Sequence, residues 1–219
     1  MRSLFMVVPI FLSFGLMAGS AASQTSAGSP KATRPTPGEI KAFLRQPGGL
    51  EKLTAKFGDV EFTNQNESWG QDSLDSLARR SNLIVIASVT SKASQLTPDG
   101  NRIETTFNLD IKQSLKGTNA SQIAVTAEGG HVAFSNGHVA TLHGDLSDSL
   151  AVGARYIFFL SRADGRLVPT VGSAGALSIT PEDTVQLVGQ REYPDDKLAG
   201  ELSGLSLAAV TETISNYVK

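Results

Sequence analysis

Cysteine is absent from all 219 residues. That excludes disulfide bracing, thiol nucleophiles, thiolate zinc sites and iron–sulfur clusters together. It also leaves no lipid-attachment cysteine, so a lipoprotein is excluded, and the core alone must hold the fold. Tryptophan is scarce: the single residue, Trp69, sits in a polar stretch and reads as a lid over the core. Charge is sparse and balanced, with 19 Lys and Arg against 21 Asp and Glu. The cations are scattered and form no block, so nucleic-acid and anionic-membrane binding receive no electrostatic support. The H-E-x-x-H, P-loop and dinucleotide signatures are missing. So is the G-x-S-x-G elbow, because Ser203 is misplaced in "GELSG". A hydrophobic content of 40% suits a globular core rather than disorder.

What is present begins with Arg2 and an apolar run from Leu4 to Met17, followed by small residues in "AGSAASQ". This order predicts a secretory signal over residues 1–22, cleaved after Ala22. The run is short for a spanning helix, which takes about 20 residues, so no membrane span is expected after cleavage. Residues 23–36 are small, polar and Pro-containing, and predict a flexible leader.

Residues 37–81 predict an N-terminal helical segment. Pro37 and Glu39 fit a first helical turn, and Gly58 fits the end of a second helix over 50–57. The pattern then changes. "NLIVIASVTSKA" from Asn82 reads as a buried strand. Ile103, Thr105, Phe107, Leu109 and Ile111 alternate with polar residues, the period of a half-buried strand. "QIAVTA" gives another strand and "ARYIFFLS" a central one; Asp164-Gly165 marks a hairpin, and Pro169 places its return at an edge or bulge. Residues 82–190 thus predict a β-barrel domain and 191–219 a C-terminal helical segment with Ser206 as N-cap. The fold class expected is mainly β with flanking helices (α+β), built on a small antiparallel OB-like barrel of five to seven strands.

The stretches "NLIVIASVTS", "RIETTFNLDIKQSLKG", "IAVTAEGG" and "VGARYIFFLS" resemble a group of secreted bacterial β-rich proteins. The resemblance covers about Leu83 to Leu160, with Ala87 where the group often has Gly. It implies an OB-like layout similar to the netrin or metalloprotease-inhibitor type. That inhibition depends on an N-terminal cysteine, which this chain lacks, and no catalytic residue is established for the group.

Three candidate chemistries remain. His131, His138 and His143 all lie in "GGHVAFSNGHVATLHG". With Asn136-Gly137 as a two-residue turn, His131 faces Leu142 and Ser135 faces His138. His131 and His138 then share a face at ~13 Å and His143 lies on the other, so no metal site is predicted. Asp145 and Asp148 read as a solvated connection rather than a calcium loop, and Glu128 as an exposed strand end rather than a general acid. Gly172 to Gly175 reads as a bend. No cofactor is predicted. The expected function is an exported, periplasmic or extracellular, non-enzymatic interaction or accessory module with a protein partner in the envelope. The alternative is an envelope hydrolase whose site is dispersed in sequence.

Overall fold

Five strands pair in a ring, and helices and a second sheet are laid against it. The computed structural model describes residues 34–63, 72–172, 175–188 and 197–218; all belong to one unit, Ala32–Lys219. The expected signal over 1–22, most of the 23–36 leader, Trp69 and Ser173-Ala174 lie outside the described residues. Along the chain come α1 (Pro37–Phe43), α2 (Gly49–Phe57), β1 (Val60–Thr63), α3 (Leu74–Arg80), β2 (Leu83–Leu96), β3 (Ile103–Lys116) and β4 (Gln122–Glu128). Next are β5 (Gly130–Ala133), β6 (Val139–His143), α4 (Asp145–Ser149), β7 (Arg155–Ala163) and β8 (Arg166–Pro169). β9 (Ala176–Ile179), β10 (Val185–Leu187), α5 (Lys197–Leu202) and α6 (Leu207–Tyr217) follow.

The large sheet runs β10-β9-β7-β2-β3-β4-β8, and β8 also pairs with β7. The pairings β7–β2–β3–β4–β8–β7 therefore return on themselves, as in the partly open Greek-key barrel of the OB type. The seam is thin: β4 and β8 run parallel and share only Val125↔Leu167. The alternation read in the second ring strand is borne out, with Ile103, Thr105, Phe107 and Leu109 buried. The unbroken run Leu83–Ala87 is buried on both faces of β2. Leu83, Val85 and Ala87 join Phe107, Phe158 and Leu160 inside the ring. Ile84 and Ile86 point the other way, toward Leu77, Leu198, Val210 and Ile214 of α3, α5 and α6. A strand covered on both sides loses its polar alternation.

Local chemistry explains the helix ends. Thr36 caps α1 and forms a capping box with Glu39. Ser73 and Ser206 cap α3 and α6 through their hydroxyls. Asp145 to Ser149 is helix α4, not the polar connection expected. Leu146 and Leu150, four residues apart, both reach the ring core and supply the reason.

The second sheet, β1-β6-β5, was not anticipated. Its inner side meets α1 and α2, where Leu50, Leu53, Val60, Ile103 and Ala140 form a third buried cluster. Backbone bonds from Gly48 to Asp99 O (2.8 Å) and from Leu50 to Gly100 O (3.2 Å) dock the start of α2 on the β2–β3 turn.

Candidate functional site

The double glycine after β4 lets the chain leave the ring. Gly129 and Gly130 have φ of +107° and +121°, a region natural to glycine. A Cβ on Gly130 would lie 2.3 Å from Ser94 Oγ and 2.4 Å from Thr105 Oγ1. The buried Thr105 hydroxyl donates to Gly129 O at 2.6 Å and fixes the exit. β5 and β6 then form the histidine hairpin.

Its turn differs from the two-residue form expected. Gly137 N–H donates to Phe134 O at 3.0 Å, and Phe134 N–H to His138 O at 2.8 Å. Gly137 sits at φ +83°. This is a three-residue loop with a glycine bulge, and it moves the register by one. His131 pairs with Thr141, Val132 with Ala140, and Ala133 with Val139. The slip exchanges the faces of one strand relative to the other. Val132, Ala140 and Leu142 gather on the inner side. His131, Thr141 and His143 come to share the outer side, which corrects the assignment of His143 to the face opposite His131.

β1 lies beside β6 in parallel, with Glu61 opposite Thr141 and Thr63 opposite His143. His143 Nε2 meets Glu61 Oε1 at 2.5 Å, and its Nδ1 meets Asp148 Oδ2 of α4 at 2.8 Å. Both ring nitrogens are donors only in the imidazolium. The Glu61 and Asp148 carboxylates accordingly hold the His143 pKa above its usual 6.5. At the other end of the strand pair, His138 Nδ1 lies 3.2 Å from Asp59 Oδ1, and Val139 N–H donates to the same oxygen at 2.9 Å. The Val139 amide and then His138 lower the Asp59 pKa. Asp59 and Glu61 were missed in the sequence. The one signal for them was the short alternation Val60-Glu61-Phe62-Thr63, four residues long.

A second feature lies at the thin seam of the ring. Beside the single β4–β8 bridge a cleft of about 330 Å³ opens, lined by Glu104, Thr126, Glu128, Asp145, Arg166 and Pro169 among others. Glu104 and Glu128 are direct cross-strand partners, a repulsive placement for like charges. Arg166 from β8 answers Glu104 at 2.7 Å.

The sequence candidates fall as follows. Glu128 is exposed, as read, and lies at the cleft. Asp145 and Asp148 are on α4, where Asp148 serves His143. Ser203 lies in an exposed turn after α5. Among the described residues no group of three or more His, Cys, Asp or Glu is placed to hold a metal ion. The ring of His143 stands between its two carboxylates, so they do not converge. A serine triad needs an imidazole nitrogen against a hydroxyl; both nitrogens of His143 face acids instead. The arrangement holds charge and ties strands together. Set beside known proteins, the chain matches no family model and no curated protein.

Proposed function

We propose that this protein is an exported, non-enzymatic interaction or accessory module of the bacterial envelope, periplasmic or extracellular, that takes a protein partner at the β4–β8 cleft. The observation that carries the reading is the cleft itself, about 330 Å³ with an arginine set among acids at the seam of an OB-like ring. Opposed charges at a groove orient a partner and select it by complementarity. Export is supported by the order of residues 1–22, a positive start, an apolar run and small residues. The histidines bound to Asp59, Glu61 and Asp148 favour this reading over the hydrolase, because among the described residues their ring nitrogens meet carboxylates rather than a nucleophilic hydroxyl.

Crosslinking in the native envelope from a photoreactive residue at Thr126, read by mass spectrometry, tests it. The expected result is a specific protein adduct that is lost in Arg166→Glu. Absence of any specific adduct, together with turnover of an ester, peptide or glycan by the purified protein, overturns it.

A further inference from the structure

β1 is four residues long and, among the described residues, bonds to one neighbouring strand, β6. A parallel pair of that length is weak alone. Yet the start of β1 is tied twice by histidines of the hairpin: His138 on Asp59, just before the strand, and His143 on Glu61, its second residue. His143 also reaches Asp148, so one ring joins β1, β6 and α4. The other charged groups around the clamp are His131 on the same face of β5, Asp145 on α4, Glu128 at the end of β4, and Lys92 of β2. The Lys92 ammonium lies 3.3 Å from the carbonyls of Ser147 and Leu150, at the far end of α4 from Asp145. The immediate partners of both histidines are acids.

We infer that His143 forms a proton-dependent clamp, flanked by the His138–Asp59 contact, that docks β1 onto the hairpin and α4. Protonated, His143 donates to Glu61 and to Asp148 at once. Neutral, it keeps one N–H and can serve only one acid. Glu61 and Asp148 then face each other across an uncharged ring, and β1 loosens while the ring of strands stays folded. The clamp is at full strength below the ordinary imidazole pKa of 6.5, weakens as the pH rises from there through the raised pKa of His143, and is open above it.

Hydrogen exchange of the full chain, measured from pH 6 to pH 9 and corrected for intrinsic exchange, tests the clamp. Protection of the 60–63 amides is expected to fall across this range, while the β2 and β3 amides stay protected. In His143→Gln the 60–63 protection is expected to be low and independent of pH. A second measurement reads the ring itself: the His143 titration, followed by NMR, is expected to move downward from the wild type to Glu61→Gln. Protection of β1 that does not change with pH in the wild type overturns the inference. So does a His143 titration unmoved by Glu61→Gln.

Discussion

Two glycines of one hairpin separate backbone strain from steric room. Gly130 and Gly137 both have positive φ, +121° and +83°. A Cβ on Gly137 meets nothing within 4 Å, whereas one on Gly130 meets two hydroxyls inside 2.5 Å. Gly137→Ala is therefore expected to cost about 1–2 kcal/mol, the price of a left-handed alanine. Gly130→Ala adds a clash with the buried Thr105 and is expected to cost more than Gly137→Ala by at least ~1 kcal/mol. Urea denaturation of the two variants checks the order, and equal losses contradict the close approach of β5 to β2 and β3. The glycine pair was legible as the end of a strand. Its contact with Ser94 and Thr105 was not, because those residues are distant in sequence.

Helix α1 shows how one element carries a pH dependence. The Glu39 carboxylate accepts the Thr36 amide at 3.0 Å and the Lys56 ammonium at 3.1 Å. The Thr36 amide first, then Lys56, hold its pKa down to about 2 from an ordinary 4.5. A depressed folded-state pKa stabilises the fold above 4.5, and that contribution is lost as pH falls toward 2. Exchange protection of the α1 amides is expected to drop over this window in the wild type. In Glu39→Gln the drop should vanish, with lower protection already at neutral pH. A wild-type profile retained by the variant contradicts the box. The helix start was readable from Pro37 and Glu39, since capping is local. The histidine hairpin was readable as an element but not in register. Two turn types differ by one residue, and what separates them is which apolar set reaches α1 and α2. Val132, Ala140 and Leu142 share a face only with the bulged turn.

At the scale of the molecule, stability rests on the inside of the ring, as the lack of cysteine requires. Phe107, Phe158 and Leu160 are fully buried and pack in one cluster with residues of β2, β3, β4 and β7. Phe107→Ala is expected to cost about 3–5 kcal/mol, because the cavity it leaves is walled by strands on several sides. The outward-facing Asn108, its neighbour on β3, is expected to cost within about 0.5 kcal/mol when changed to Thr. Thermal unfolding of both variants reads the contrast directly. A Phe107→Ala loss near that of the Asn108 change means that the ring interior is not the core.

Features that depend on near neighbours were legible along the chain. These are the inward set of β3, the buried run of β2, the Asp164-Gly165 turn, the cap at Ser206, and hence a β-rich fold with helices at its ends. Period-two burial and capping bonds act over a few residues, so they are written locally. Packing alone set the seam of the ring, where Arg166 meets Glu104 across 62 positions. It likewise decided the clamp, where Glu61 meets His143 across 82. Those contacts require β1 to lie parallel to β6 and the hairpin to carry one extra residue. Both conditions are set by where apolar faces find cover, which is a property of the packed chain rather than of any stretch of it.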